Sequence, residues 1–213
     1  MFARAFRQVA ITGALVVAAC VVSSFFWLRS DVLLLSLLVV VVLLTLSWQF
    51  LSRFWLARRP GAVIRVRHFR VQRGLLTRTW FEGSRKWYPV HFHPALLELP
   101  SPVEARVHGR RLAAITVSGV TLYPSGPARS REPAGTRTDS PTRPDGYAAG
   151  RARVAGRLRR RFRVDSVFLV PAPFAGLLWA YLDGGGTGEW LGSTLIAGAL
   201  GLWWAALRGS NPT

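Results

Sequence analysis

His91 and His93 stand two residues apart, the spacing that puts two imidazoles on one face of a strand, and His68 and His108 are the other histidines of the chain. Imidazoles so placed are the beginning of a zinc site, which closes with further N, S or O ligands in tetrahedral geometry. The completing groups are missing nearby, because the single Cys20 lies in an apolar run and no Asp or Glu adjoins the pair. No metal is expected, and His91 and His93 read as surface histidines beside an anionic partner. A second group is larger: Arg157, Arg159, Arg160, Arg161 and Arg163 crowd together, with Val154, Leu158 and Phe162 recurring every four positions among them. On a helix this pattern makes one apolar stripe flanked by guanidinium groups, which suits anionic lipid at a membrane surface. A cytoplasmic extension of the next helix, its arginines only setting topology, accounts for the same pattern.

Catalytic motifs are absent. There is no phosphate-binding Gly loop carrying Lys, no HExxH and no Gly-x-Ser-x-Gly, and Gly184, Gly185 and Gly186 read as a turn rather than a nucleotide cradle. The expectation is a protein without catalysis and without a cofactor. Nucleic acid is not expected either, since no recognition motif accompanies the charge.

The elements that must position these residues follow from where the charge lies. Of 28 basic residues, 24 fall between Arg53 and Arg163, against 6 of the 10 acidic ones, so the net charge of +18 sits wholly in the middle of a chain that is 50% hydrophobic. A disordered polyelectrolyte, a collagen-like fibre and an ordinary soluble enzyme are excluded by that division. Only Lys86 is lysine among the basic residues, a bias that reads as a GC-rich, actinobacterium-like genome. Cys20 reads as small apolar filler.

The outer parts of the chain are apolar. Residues 9–28 and 32–51 are uncharged and each long enough to cross a hydrocarbon core of ~30 Å. Near the other end, residues 167–182 and 190–207 are also uncharged, the former short and carrying Pro171 and Pro173, which leaves a re-entrant segment as the alternative to a full span. Arg4, Arg7, Arg53, Arg58, Arg59, Arg208 and the 157–163 cluster all flank one side. The opposite side has Arg29 with Asp31 in one turn, and Asp183 with Glu189 in the other. The positive-inside rule places both termini and the central region in the cytoplasm of a bacterial plasma membrane. Trp27, Trp48, Trp55, Trp179 and Trp190 fall near span ends, as interfacial residues do. Small-residue stripes at Ala10, Ala14 and Ala18, and at Ala197, Gly201 and Ala205, predict helix packing for the first and fourth spans, with the Leu/Val-rich second span facing lipid.

After Pro60 the pattern turns to short alternating runs, as in Tyr88, Val90 and Phe92 or Val103, Ala105 and Val107. With residues 63–71, 75–81, 112–117 and 120–123, this predicts about six strands. The run His68-Phe69-Arg70-Val71-Gln72-Arg73-Gly74-Leu75-Leu76-Thr77-Arg78, directly after a membrane hairpin, resembles the first strands of bacterial pleckstrin-homology-like domains. The resemblance spans residues 63–90 and implies a small barrel with a closing helix, for which no candidate is evident in the sequence. Domains of this size are marginal alone, so the aromatics Trp80, Trp87 and Tyr88, with His91 and His93, are expected to be exposed and to meet a protein partner.

The whole reads as an integral membrane α-helical protein of four spans in two hairpins, with a small antiparallel β-barrel or sandwich inserted between them. The boundaries are residues 1–59 for the first hairpin, 60–123 for the basic cytoplasmic β-domain, 124–150 for a disordered linker poor in large apolar residues, 151–165 for the basic amphipathic helix, and 166–213 for the second hairpin. No ionisable group stands inside the spans, so a stand-alone carrier is not expected. The function expected is a non-catalytic accessory or scaffold subunit of an envelope or transport assembly, holding anionic lipid and a protein partner. The alternative is a membrane enzyme or transporter component whose active site another subunit completes.

Overall fold

The structure is a computed structural model that describes residues 2–25 and 32–211. Trp27, expected at the end of the first span, and Arg29 and Asp31, expected in the first external turn, lie outside the described residues. Helices α1 (Phe2–Ser24) and α2 (Val32–Ala57) precede strands β1 (Gly61–Arg73), β2 (Leu76–Glu82), β3 (Trp87–Val90), β4 (Val103–His108), β5 (Ala114–Val117), β6 (Val120–Leu122) and β7 (Thr136–Asp139). Helices α3 (Ala148–Ala155), α4 (Leu158–Asp165), α5 (Ala172–Asp183) and α6 (Thr187–Leu207) follow. The chain divides into two compact units, one built of residues 6–50 and 165–206, the other of residues 1–5, 51–164 and 207–213.

The first unit is helical. Its helices α1, α2 and α6 contain the stretches Arg7–Ser24, Leu33–Leu56 and Thr187–Leu207, each long and apolar enough to cross a membrane. The expected third span differs. Helix α5 is too short alone, and it meets the same test only together with Leu158–Leu169, as a segment bent by 41°. The bend has a sequence cause: Pro171 stands at the break and Pro173 in the first turn of α5, each removing a main-chain donor. At its far end α5 stops at Gly184, which takes a φ of 71° and donates its N–H to the Ala180 carbonyl.

Packing within this unit corrects one expectation. The buried face of α1 is Val9, Thr12, Val16, Cys20 and Ser23, whereas Ala14 and Ala18 of the expected alanine stripe are exposed. Hydroxyls mark the packed side instead, because each needs a carbonyl once it leaves water: Thr12 donates to the Gln8 carbonyl at 2.9 Å and Ser23 to the Gly192 carbonyl of α6 at 3.0 Å. Helices α5 and α6 approach closely at Gly176, where a Cβ would come 2.1 Å from Thr194 Oγ1. There Ser193 Oγ donates to the Gly176 carbonyl at 3.1 Å. On α6, Ala205 is buried while Ala197 and Gly201 are half-buried. The Leu and Val side chains of α2 are mostly exposed, in keeping with its lack of a small-residue stripe.

The second unit is built on β1, which is thirteen residues long and serves two half-sheets. Its first half pairs with β4, from Gly61 opposite His108 to Val66 opposite Val103, and its second half with β2, from Arg67 opposite Glu82 to Arg73 opposite Leu76. The sheet order is β3-β2-β1-β4-β5-β6, antiparallel throughout, curled into a half-barrel. Its two edges are tied where Val90 bridges Pro124 and the His91 N–H donates to the Tyr123 carbonyl at 2.9 Å. Inside lie Val66, Phe81, Val90, Phe92, Ile115 and Leu122, with Ala155 of α3 reaching the same core. Helix α3, which overlaps the start of the expected basic helix, thus joins the core through an alanine face, Ala148, Ala152 and Ala155.

Residues 124–150 are not the featureless linker expected. Arg129 exchanges two main-chain hydrogen bonds with Trp87, each 2.9 Å, and β7 pairs with the open side of β1 from Phe69 opposite Asp139 to Gln72 opposite Thr136. The reason is that β1 and β2 bury side chains on their outer face too, where Phe69, Val71 and Trp80 cluster with Trp87. The segment covers them with main-chain bonds and cations rather than apolar bulk: Arg137 stands 3.9 Å over the Phe69 ring and Arg129 5.4 Å over Trp80. Composition tells whether a segment can build a core of its own, not whether it can finish a neighbour's. The expected single helix over residues 151–165 is likewise two, α3 and α4, parted at Gly156.

Candidate functional site

The expected partner-binding aromatics and histidines are placed differently from their expectation as a surface. Trp80 is 3% exposed, beneath Arg129 and Arg78, and Trp87 and Tyr88 are half-buried. Strand β3 ends at Val90, so His91 and His93 lie beyond it, and both are buried. His93 caps the 3-10 turn Pro94–Leu97, its Nδ1 accepting from the Ala95 N–H at 3.2 Å. His91 is held well away from protonation, first by burial and then by the charges of Arg53, Arg161 and Arg78. Burial also lowers Arg78 to about 10, with Arg208 and Arg129 adding to the effect, and its guanidinium donates to the Ser125 carbonyl at 2.8 Å. The two histidines do not form a ligand pair, and among the described residues no three of His, Cys, Asp and Glu come together.

The arginine cluster is split as well. Arg161 is buried, 5.6 Å over the Phe92 ring, whereas Arg157, Arg159, Arg160 and Arg163 are exposed. Within α4 the helical turn separates them, so that Arg161 faces the domain interior while Arg159, Arg160 and Arg163 keep access to solvent. Val154, expected on the apolar stripe, is exposed.

What the fold assembles instead is a cavity of about 680 Å³ in the β-domain. Leu96, Leu97 and Leu99, from the 3-10 turn and the residues after it, form an apolar wall. Val154 and Ala155 of α3 face it, and Pro141 adds to it from the segment after β7. Three guanidinium side chains reach the lining from three elements: Arg70 of β1, Arg151 of α3 and Arg160 of α4. Among the described residues, no acidic one lines the cavity. Asp145, which pairs with Arg151 at 2.8 Å, stands outside it. Size and lining match a ligand site, mostly apolar with a few placed polar groups.

His68 is one of the buried polar residues lining this cavity, with Thr79 and Asn211. Its ring stacks on Phe81 at 5.6 Å. Burial lowers its pKa to about 4, the hydrogen bond with the Leu96 main chain opposes the fall, and Arg70 adds to it. Nδ1 has no protein partner. Beside it Thr79 Oγ1 accepts from Asn211 Nδ2 at 3.1 Å, and the Asn211 N–H donates to the Thr77 carbonyl at 2.9 Å. Sequence reasoning missed this site. The period-two run Val66, His68, Arg70 could have revealed it, because an inward-facing His and Arg following an inward-facing Val signal a polar pocket at the end of the core. Nothing in the sequence marks Asn211.

Compared with protein-family models, curated proteins and solved structures, the chain matches none.

Proposed function

We propose that the protein is a non-catalytic accessory or scaffold subunit of an envelope or transport assembly in a bacterial plasma membrane. Its helices cross the membrane four times, the bent segment ending in α5 serving as the third crossing. Both termini and the β-domain lie in the cytoplasm, where the domain meets anionic lipid and a protein partner. One observation carries this reading: 24 of the 28 basic residues fall between Arg53 and Arg163, while the apolar helices on either side are nearly free of charge. The resemblance of residues 63–90 to domains that follow a membrane hairpin supports it. Reporter fusions after Gly146 should read cytoplasmic and an epitope at Gly185 external. A cytoplasmic reading at Gly185 would overturn the four-crossing topology. Purification in mild detergent should bring down a stoichiometric membrane partner, and its absence under gentle extraction would count against the scaffold role.

A second reading, a transporter component completed by another subunit, draws on one contact. Gln8 Nε2 donates to Asp165 Oδ2, and both side chains are buried in the helical unit. A carboxylate held by an amide among apolar helices is the type of group that transport sites use. Asp165→Asn abolishing transport by the co-purified assembly, with the assembly intact, would favour this reading over the first.

A further inference from the structure

One end of the β-domain gathers cations without any acid. The last turn of α2, residues 51–57, belongs to the same unit as the β-domain, and Leu56 is buried there with Ala114 and Tyr123, beside Leu112. Gly109, in the turn between β4 and β5, takes a φ of 100° and lies so close that a Cβ would come 2.9 Å from Leu56 Cδ2. Next to it His108 Nδ1 donates to the Arg59 carbonyl at 2.7 Å. The turn between β2 and β3 joins the group, because Lys86 Nζ donates to the Arg110 carbonyl at 3.3 Å. Arg59, Arg85, Arg110 and Arg111 are thereby brought together, all exposed, and none of them makes an ion pair among the described residues. The sequence holds no Asp or Glu at residues 32–81, 83–97 or 105–131, from which these segments come. The bordering Glu82 and Glu132 are both held by Arg137, at 3.2 and 3.1 Å. Like charges so assembled repel one another, and an anionic surface laid against them removes that cost.

We propose that this end of the β-domain, with Arg59, Arg85, Arg110 and Arg111, rests on the anionic phospholipid headgroups of the membrane that α2 crosses. The inference depends on the reading of α2 as a crossing helix, and it deepens that reading by naming the face of the domain that meets the lipid. The apolar stretch of α2 ends at Leu56, which marks the edge of the hydrocarbon core, and the polar layer beyond each edge is roughly 5 to 8 Å thick. Groups packed against Leu56, or bonded to the carbonyl three residues later, stand in that layer. Trp55, 64% exposed, lies at the same level, as interfacial tryptophans do. Headgroups are the polyanion already present at such a position, and a nucleic acid would have to displace them. The surface is separate in sequence from Arg157, Arg159 and Arg163, and its attraction adds to theirs.

The test uses the full chain in nanodiscs of phosphatidylglycerol and phosphatidylcholine in equal parts, with the lipid that stays on the protein after release from the disc measured by mass spectrometry. Arg85→Gln, Arg110→Gln and Arg111→Gln together should lower the enrichment of phosphatidylglycerol by about five-fold or more, the factor that one cation near an anionic leaflet supplies. Arg58 and Arg59 stay in place to keep the topology. Arg73→Gln, Arg143→Gln and Arg153→Gln, which remove the same charge elsewhere, should change the enrichment less than about two-fold. Raising the salt from 0.05 M to 0.5 M should shrink the gap between the two triple variants, because screening reaches the patch cations. A second readout keeps every arginine: a fluorophore on Ser84→Cys, in a Cys20→Ala background, should be quenched more strongly by a nitroxide carried on the lipid headgroup than by the same nitroxide free in solution. Equal losses in the two triple variants, an enrichment unchanged in the patch variant, or quenching at Ser84 no stronger than by the free nitroxide would overturn the proposal. The membrane reading fails separately: a reporter after Gly146 that reads external removes the crossing topology, whereas a cytoplasmic reporter with unchanged enrichment in the patch variant removes only this surface.

Discussion

The imidazole of His68 is neutral in the folded domain because burial depresses its pKa to about 4, and an exposed histidine titrates near 6.5. Between those values the unfolded chain takes up a proton that the folded domain refuses. The stability that this group contributes is therefore complete above about pH 6.5 and is lost as pH falls toward 4, by about 3 kcal/mol in all. His91 acts with the same sign, since burial and then Arg53, Arg161 and Arg78 push it down as well. Thermal midpoints in detergent should drop between pH 7.5 and pH 4.5, and His68→Gln should flatten that drop. An equal drop in the variant would show that other groups carry the acid sensitivity. Single residues were the least legible scale in the sequence. The spacing of His91 and His93 fits a strand face, but Pro94 starts a 3-10 turn there and turns His93 into its cap. Which side of the sheet is covered, and by what, is decided by segments far along the chain.

At the scale of elements, period-two alternation found β1 to β6, because each has an inward face that the core demands. It could not find β7, whose Thr136, Arg137, Thr138 and Asp139 are all exposed and whose place is owed to main-chain pairing with β1. Gly135 makes that pairing possible, with a φ of 139° and a hypothetical Cβ only 2.4 Å from the Gln72 carbonyl oxygen. Alanine there is expected to cost about 1 to 3 kcal/mol locally. Trypsin should cut slowly between Arg129 and Arg143 in the native protein and several times faster in Gly135→Ala, with the bands read on a gel over time. Identical digestion rates would mean that β7 is not held. Strand β7 is also fastened by Arg137, which bonds to Asp139 at 2.7 Å, Glu132 at 3.1 Å and Glu82 at 3.2 Å. In the helical unit the comparable position is Gly176. Its replacement by Val would drive a side chain into Thr194 and should destabilise the α5 and α6 pairing by about 1 to 3 kcal/mol, seen as a lower midpoint in detergent. The apolar stretches themselves were plain in the sequence. Which face of α1 packs was not, because the stripe of alanines competes with a stripe marked by the hydroxyls of Thr12 and Ser23, the latter donating to a carbonyl of α6.

For the whole molecule, charge distribution was the most legible property, since it needs no knowledge of contacts. With Arg161 turned inward and Arg160 at the cavity, the outward cations of the basic segment are Arg157, Arg159 and Arg163. Each is worth ~1 kcal/mol near an anionic leaflet, and screening over a Debye length of ~10 Å at 0.1 M salt weakens that attraction. Enrichment of anionic lipid around the full chain should fall several-fold from 0.05 M to 0.5 M salt, and Arg161→Gln should leave that salt dependence unchanged. A salt-independent enrichment would assign these arginines to topology alone. The cavity was illegible at this scale, because its lining is gathered from β1, β2, the 3-10 turn, α3, α4 and the residues after α6.

The hydrogen bond from Asn211 to Thr79 joins residues 132 positions apart, so it has a consequence in time. A ribosome delivers β2 long before Asn211, and helices α3 to α6 are made in between. Through that interval the Thr77 carbonyl and the Thr79 hydroxyl are answered by water, and one wall of the cavity is open. The closing cost of so long a loop grows only as the logarithm of its length, so the docking of Asn211 waits on synthesis rather than on chain search. A nascent chain stalled before Asn211 should hold a folded half-barrel with an unsealed cavity, and the emergence of Asn211 would complete it.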